Sequence, residues 1–145
     1  MFLGKFFCGL DNENRFKPPD EFIKYLSDEF VITQGFDRNL WVLSDHAFQA
    51  LYNKLGSLSI TDPMARMLFR LILGAATETG ITDQGLLKIP DELLEYAQIE
   101  NDALLIGQGD YFEIWSPEFW NNQEEALRET ETNIEKFSTF EITTR

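Results

Sequence analysis

The pattern of hydrophobic and polar positions along the chain predicts short strands and short helices. The same series of elements is predicted in each half of the chain. Residues 30–34 (FVITQ) and 39–43 (NLWVL) are apolar stretches separated by a Gly- and Asp-containing turn. Residues 103–107 (ALLIG) and 111–115 (YFEIW) repeat this arrangement around QGD. Apolar, β-branched and aromatic runs bounded by glycine and aspartate are typical of β-hairpins. We therefore predict one hairpin in each half of the chain.

Helical spacing of apolar residues appears on both sides of each hairpin. Residues 19–26 (PDEFIKYL) and 90–97 (PDELLEYA) begin with the same Pro-Asp-Glu, 71 positions apart. A proline suits the start of a helix, and the two acids complement its dipole. Ser44 and Ser116 precede the next helical stretches and are good N-cap residues. Each half thus predicts a short helix, a hairpin and a capped helix.

The two halves match over a long series. The segment VITQGFDRNLWVLSDHAF aligns with ALLIGQGDYFEIWSPEFW, pairing Gly35 with Gly107 and Ser44 with Ser116. Aligned glycine and serine positions over such a length indicate an internal repeat. The chain is therefore interpreted as two copies of one unit.

A helical pair is predicted between the copies. DHAFQALYNKLGSL and TDPMARMLFRLILGAA carry helical apolar spacing, and Thr61 is the predicted N-cap of the second helix. This pair is also locally basic, with Lys54, Arg66 and Arg70. These cations form either a solvated helix face or a stripe that faces a ligand. After Trp120 the chain is polar, and we expect a helix that frays into a flexible tail.

Composition limits the partners. The 145 residues are 43% hydrophobic and 14% aromatic, which is enough for one compact domain or for two half-sized units that share a core. Twelve basic residues stand against 25 acidic ones, giving a formal charge of −13. This charge repels nucleic acid and anionic membranes, so any phosphate contact has to be local.

The N-terminal region and the single cysteine point to a cytoplasmic setting. Cys8 has no second cysteine to pair with, and we expect it to be buried as a small apolar side chain. The apolar start MFLGKFFCGL is interrupted by Lys5 and followed at once by Asp11, which argues against an export signal. We also find no run of about 20 apolar residues, the length that a membrane span needs.

The chain offers few groups for catalysis. One histidine, His46, and one cysteine are too few for a zinc site, and no GxxxxGK[ST] or GxGxxG motif occurs. The acidic pairs at positions 20–21 and 91–92 are explained by their helix starts. Ser44, Asp45 and His46 are adjacent, and adjacent residues of a helix face different ways. We predict no enzyme, no metal, no cofactor and no small-molecule substrate.

One short turn raises a binding question. In DNENR, residues 11–15, Asp11 can accept backbone N–H bonds and brace Arg15 four residues later, presenting the guanidinium to phosphate or a guanine edge. Asn14 can take the left-handed conformation that such a turn requires. The alternative is that Asp11 and Arg15 only staple the turn to itself.

The chain resembles the MraZ family of bacterial division and cell-wall cluster regulators. The segments that carry the resemblance are MFLGKFFCGLDNENRF, FVITQGFDRNLWVLS, SITDPMARMLFRLILGAATE and QGLLKIPDELLEYAQIENDALLIGQGDYFEIWSPEFW. It implies an α+β fold with two SpoVT-AbrB-like repeats, here 1–48 and 75–120, joined by a helical linker, 49–74, and followed by a polar tail, 121–145. It also implies a ring-shaped homo-oligomer that binds double-stranded promoter DNA at direct repeats and associates with the nucleoid.

The family's Asp-x-x-x-Arg motif is only partly kept. Asp11 and Arg15 match it in the first repeat, with Glu13 where the family commonly has lysine. In the second repeat the two positions fall on Thr82 and Leu86, so both charges are lost.

Two functions remain open. The first is a DNA-binding regulator in which Arg15 and Asp11 act with Lys5 or Lys17. The second is a divergent paralogue that keeps the oligomeric scaffold and serves in protein interaction. The second is motivated by the overall charge and by a second repeat that has one basic residue against nine acidic ones between residues 75 and 115.

Overall fold

The computed structural model describes residues 1–26 and 29–142. The strands are β1 (Lys5–Gly9), β2 (Arg15–Phe16), β3 (Phe30–Gln34), β4 (Leu40–Ser44), β5 (Thr77–Thr79), β6 (Leu87–Lys88), β7 (Asp102–Gly107) and β8 (Tyr111–Trp115). The helices are α1 (Asp20–Ile23), α2 (Asp45–Gly56), α3 (Pro63–Ile72), α4 (Asp91–Ala97), α5 (Pro117–Leu127) and α6 (Thr130–Phe137), and a 3₁₀ turn follows at Ser138–Phe140. The fold is therefore α+β with two matching halves, as the sequence predicts.

The main sheet has six antiparallel strands, and each half of the chain contributes one hairpin and one edge strand to it. Its order is β1-β7-β8-β4-β3-β5. The first strand of each half pairs with the hairpin of the other half: Phe7 of β1 lies opposite Leu104, and Thr77 of β5 lies opposite Ile32. The order reads the same from both ends once equivalent strands are exchanged. The two repeats are thus interlaced by strand exchange.

A second sheet consists of β2 and β6 alone. Phe16 lies opposite Leu87 in this pair. These two residues are 71 positions apart, the offset of the repeat, so they are equivalent residues that face each other. A pseudo-two-fold axis therefore passes through the contact between the two repeats.

One hydrophobic core lies between the two sheets and the short helices. Phe16 and Leu87 of the small sheet, Phe22 of α1 and Leu93 of α4 are all buried. The Phe22 ring meets the ring of Phe112 at 4.9 Å between centroids. Because both repeats contribute to this core, the predicted segments 1–48 and 75–120 supply strands to one shared structure.

Most predicted elements are present where the sequence placed them. Both hairpins, the helical pair α2 and α3, and the N-caps Ser44 and Ser116 are confirmed: Oγ of Ser44 accepts from Ala47 N at 3.2 Å, and Oγ of Ser116 accepts from Phe119 N at 3.1 Å. The first Pro-Asp-Glu segment forms only a four-residue helix, whereas the second forms seven residues.

The predicted N-cap Thr61 is wrong by one residue. Asp62 caps α3, and its Oδ1 accepts from Met64 N at 2.9 Å. Pro63 then occupies the first helical position, where its missing N–H costs nothing. Oγ1 of Thr61 is instead 2.7 Å from Oγ of Ser59. A carboxylate beside an N1 proline is the better cap in this context.

Cys8 is more exposed than the sequence predicts. Cys8 is half-buried rather than buried: it packs against the core edge, its Sγ lies 3.8 Å from the Lys17 carbonyl, and partial burial raises the pKa of its thiol.

The segment after Trp120 is helical through α5 and α6. Among the described residues, no helix is long and apolar enough to cross a membrane.

Candidate nucleic-acid interface

The DNENR turn is closed by a reciprocal set of bonds between Asp11 and Arg15. Asp11 N donates to the Arg15 carbonyl at 2.8 Å, and Arg15 N donates to Asp11 Oδ1 at 3.0 Å. Asn14 sits between them with φ of 61°, in the left-handed region predicted for it. The turn therefore delivers Arg15 directly into strand β2.

The Arg15 side chain is held by two carboxylates. Its Nε donates to Asp11 Oδ2 at 2.9 Å, and its Nη1 lies 3.0 Å from Glu13 Oε2. Nη2 makes no hydrogen bond to the described residues, and 31% of the side chain is exposed. The contact that holds the turn together therefore also orients Arg15. Asp11 fixes the guanidinium group and leaves one edge of it open to a ligand.

The Asp11 carboxylate is stabilised in its charged form. The Arg15 backbone N–H is the main cause that lowers the pKa of Asp11, followed by the Glu13 backbone N–H, which donates at 2.8 Å, and by the Arg15 side chain. Hydrogen bonds to a carboxylate favour the ionised state. Asp11 therefore stays charged at any pH at which DNA binding would be measured.

The second repeat builds the same turn without the charges. Thr82 N donates to the Leu86 carbonyl at 2.9 Å, and Leu86 N donates to Thr82 Oγ1 at 3.0 Å. Gly85 takes the left-handed position with φ of 79°. The alignment of Thr82 with Asp11 and of Leu86 with Arg15 is therefore correct in three dimensions.

The first turn is tied to the segment of the second repeat that joins β6 to α4. The Asn14 carbonyl accepts from Ile89 N at 3.0 Å, and Asn14 Nδ2 donates to Asp91 Oδ1 at 3.2 Å. Asn14 thus uses a backbone acceptor and a side-chain donor across the repeat boundary. This fixes the first turn against the second repeat, which suits a surface that has to recognise a rigid partner.

The outward face of the small sheet carries three cations. Arg15 lies directly opposite Lys88 in the β2–β6 register, so their side chains share one face, while Phe16 and Leu87 are buried on the other. Lys17 is exposed, and a Cβ built on Gly85 would lie 3.8 Å from its Cε, so its stem runs beside the second turn. Arg15, Lys17 and Lys88 define the strand-pair face.

Lys88 is a functional candidate that the sequence prediction missed. Its signal was available, because the offset of 71 residues aligns Lys17 with Lys88. Lys5, in contrast, lies elsewhere: its ammonium is 5.6 Å from the Trp120 ring centroid and 3.9 Å from Glu124 Oε1, both on α5. The structure brings Asp11, Arg15 and Lys17 together and leaves Lys5 against a helix.

Glu113 is a half-buried carboxylate held by two side-chain donors. Asn39 Nδ2 donates to its Oε2 at 2.8 Å, and Trp115 Nε1 donates to its Oε1 at 3.0 Å. Burial raises the pKa of Glu113, and these donors oppose that rise. Because its oxygens are occupied by these donors, Glu113 links the turn between β3 and β4 to β8.

His46 lines a pocket of about 360 Å³ with Trp41, Lys54 and Tyr111. Ser44 also lines this pocket, and its Oγ accepts the cap bond from Ala47 N. Among residues 1–26 and 29–142, no cluster of three metal-ligating side chains occurs. Among the described residues, no hydrogen bond joins Ser44 to His46.

These features define a class of protein: a duplicated α+β module whose repeats exchange strands and join through a two-stranded, cationic face. The family described as "MraZ protein, putative antitoxin-like" matches residues 1–71 and again residues 72–140. The chain belongs to the MraZ family. The second match includes α6, so the resemblance extends past Trp120, where the sequence prediction had ended it.

Relatives cover nearly the whole chain. A "Transcriptional regulator MraZ" of Thermomicrobium roseum is 39% identical over 127 residues, which is 88% of this chain and 89% of that protein. Proteins of the same name from Natranaerobius thermophilus and Clostridium tetani are 34% and 35% identical, over 98% and 95% of this chain and 100% and 97% of theirs. These relatives are named as regulators and not as enzymes.

Proposed function

We propose that this chain is a transcriptional regulator that binds double-stranded DNA as a homo-oligomer, in the cytoplasm and at the nucleoid. The observation that carries the proposal is the strand-pair face, on which Arg15, Lys17 and Lys88 project from one rigid surface. Its support from relatives is their shared name, and its support from the sequence is the Asp11 and Arg15 pair.

Arg15 is the proposed reader of DNA. Asp11 holds its Nε at 2.9 Å, and the open Nη2 edge is free to donate to a phosphate oxygen or to a guanine edge. Lys17 and Lys88 flank it as phosphate contacts, related by the pseudo-two-fold. Phosphate contacts position a protein on DNA, whereas an arginine fork can also read a base.

Repetition of the face compensates for its small size. The chain has a net charge of −13, so a single face works against the overall field. A ring of copies presents one strand-pair face per subunit, and linked sites bind at a high effective concentration. We propose that the ring engages direct repeats in the promoter of the division and cell-wall gene cluster.

A mobility shift with the promoter fragment of that cluster tests the proposal. We expect binding at low salt that weakens steeply as salt rises, because bound phosphates release counterions. Arg15→Ala should abolish binding, and Lys88→Ala should weaken it without changing the preferred sequence. Lys54→Ala is the matched control, because it removes an exposed cation of α2 and should leave binding unchanged. Binding that is indifferent to Arg15→Ala would refute the proposal.

The second candidate is a paralogue that has lost DNA binding and acts through protein contacts. The observation that favours it is the 3.0 Å contact between Arg15 Nη1 and Glu13 Oε2, together with Leu86 in place of the second arginine. A carboxylate in this position competes with phosphate for the guanidinium. Specific, salt-dependent DNA binding by the wild-type chain would reject this candidate.

A further inference from the structure

Helix α3 carries an apolar stripe that the described residues cover only in part. Met64, Met67, Leu68 and Leu71 follow the i, i+3, i+4, i+7 spacing of one helix face. Met64 and Met67 are 69% and 60% exposed. Together with Phe36 and Arg70 the stripe lines a groove of about 500 Å³. We call this the α3 groove.

Helix α6 carries a second apolar stripe. Ile134 and Phe137 are three residues apart on one face, and Phe140 follows in the 3₁₀ turn. All three side chains are more than half exposed. An exposed aromatic and aliphatic stripe at the end of a chain is typical of an interaction surface.

The repeat makes α3 and α6 equivalent helices. Each follows the serine-capped helix that ends a repeat, and the second family match, residues 72–140, includes α6. Ala65 and Ile72 bury the inner side of α3, and Oγ1 of Thr33 on β3 donates to the Ile72 carbonyl. No described apolar side chain of α6 is buried in this way. Helix α6 thus has the stripe of its counterpart without a surface in the described part of the chain to cover it.

The two stripes sit at separate parts of the molecule. Helix α3 bonds to β3, whereas the preceding helix α5 contacts β7, and only Arg128 and Glu129 separate α5 from α6. The strands β8 and β4 lie between β7 and β3, a distance of about 14 Å at the usual strand spacing. A contact between two different surfaces of successive copies is heterologous, and such contacts generate a ring when the rotation between copies closes.

The charges of α3 and of the segment that contains α6 are opposite in sign. Helix α3 contains Arg66 and Arg70 and no acidic residue, and Arg70 lines the groove without an ion pair among the described residues. Residues 129–142 contain four glutamates against one lysine. Glu135 is one of these glutamates and is exposed on α6. An acidic, apolar helix therefore meets a basic, apolar groove.

We propose that α6 of one copy packs into the α3 groove of a second copy and joins successive subunits. The two helices have comparable lengths of about 12 and 15 Å, so their stripes can align. The inference rests on the proposed homo-oligomer and goes beyond it by assigning the surfaces. Contact between the two helices buries Met67 and Phe137, and this burial of apolar surface favours association of the copies.

Light scattering coupled to gel filtration, without DNA, tests the assignment. The full chain should be an oligomer, and a chain that ends at residue 128 should be smaller. Met67→Glu and Phe137→Glu should reduce the mass in the same way, whereas Thr139→Glu, an exposed polar position of the same turn, should not. Arg70→Glu should weaken assembly, because it places a negative charge in the groove that the acidic α6 segment is proposed to enter. Circular dichroism confirms that each variant is folded.

A cross-link separates contact between copies from contact within one chain. In a Cys8→Ser background, chains with Met67→Cys are mixed with chains with Phe137→Cys and oxidised with copper phenanthroline. A disulfide-linked pair containing both variants supports the proposal. A disulfide that forms only when both substitutions are on one chain overturns it.

The outcomes also distinguish this inference from the proposed function. An oligomer unaffected by loss of residues 129–145 overturns the assignment and leaves the regulator proposal standing. A monomeric full chain without cross-link refutes both the assignment and the oligomeric part of the proposed function. DNA binding is measured separately on the same proteins, so a loss of DNA binding alone leaves the interface between α6 and the α3 groove supported.

Discussion

Oδ1 of Asp11 and Oγ1 of Thr82 occupy the same place in two equivalent turns. Each accepts the backbone N–H of the residue four positions on, Arg15 or Leu86, at 3.0 Å. A hydroxyl thus replaces a carboxylate as the turn acceptor without loss of the turn. The second repeat has therefore kept the turn but could not hold an arginine side chain as the first repeat does. Only a carboxylate has a second oxygen that can accept from the guanidinium.

This equivalence predicts that the second site can be rebuilt. The double variant Thr82→Asp, Leu86→Arg should recreate the brace seen at Arg15 and add one arginine fork to each subunit. A bidentate arginine contact is worth about 1–3 kcal/mol, so DNA affinity should rise by roughly tenfold or more. The salt dependence should steepen by about one phosphate contact. Fluorescence anisotropy at several salt concentrations measures both.

Leu86→Met is the control for this experiment, since it keeps an apolar side chain of similar size at the same position. It should leave affinity and salt slope at the wild-type values. A double variant that folds and binds DNA no better than Leu86→Met would show that the second turn does not face the nucleic acid.

Glu13 should lower the affinity of the chain for DNA. Glu13→Gln removes the carboxylate 3.0 Å from Arg15 Nη1 and with it the repulsion of phosphate. The pair is exposed, so the free energy of unfolding should change by less than about 1 kcal/mol. DNA affinity should rise several-fold, with the largest gain at low salt. Titrations of DNA with wild type, Glu13→Gln and the exposed control Glu125→Gln check this, and equal gains in both variants would mean that only net charge matters.

Glu113 should make stability depend on pH with a defined sign. Burial raises the pKa of Glu113 above its unfolded value of 4.5, so the folded state binds the proton more tightly. Its contribution to the free energy of unfolding is therefore fully present below pH 4.5 and is lost as the pH rises through the folded pKa. Urea unfolding across this window should show wild type losing stability relative to Glu113→Gln.

The comparison isolates Glu113 because Asp11, whose lowered pKa gives the opposite dependence, is present in both proteins. Glu113→Gln also places an amide N–H₂ where Asn39 Nδ2 or Trp115 Nε1 now donates, so it should be less stable at every pH tested. A difference between the two proteins that stays constant with pH would contradict the buried-carboxylate account.

Gly107 should be intolerant of any side chain. A Cβ there would lie 2.5 Å from the Phe2 carbonyl oxygen and 2.6 Å from Leu3 N, which are backbone atoms that cannot move alone. The clash displaces Phe2 from the core, so Gly107→Ala should destabilise the fold by about 1–3 kcal/mol. Gly56→Ala is the control, since nothing lies within 4 Å of its added methyl group. Thermal unfolding of the two variants should differ clearly, and equal melting temperatures would refute the assigned contact.

Much of the candidate site could be predicted from local sequence. The Asp11 and Arg15 pair, the left-handed Asn14 and the matching Thr82 and Leu86 all lie within five-residue turns, whose geometry depends on near neighbours. Lys88 was missed because its place opposite Arg15 depends on pairing between residues 73 positions apart. Lys5 was predicted to act with Arg15, whereas the structure places it against Glu124 and Trp120 of α5.

The amino-acid sequence by itself determined the duplication, both hairpins, the serine caps and the family, since these depend on spacing and on repeated residue types within short windows. Only the tertiary structure decided that β1 pairs with β7 and β5 with β3, so that the two repeats share one core. Strand exchange is invisible in the hydrophobic pattern, because an edge strand has the same alternation whichever hairpin it joins. The pairing of β2 with β6 across the same pseudo-two-fold placed Lys88 beside Arg15.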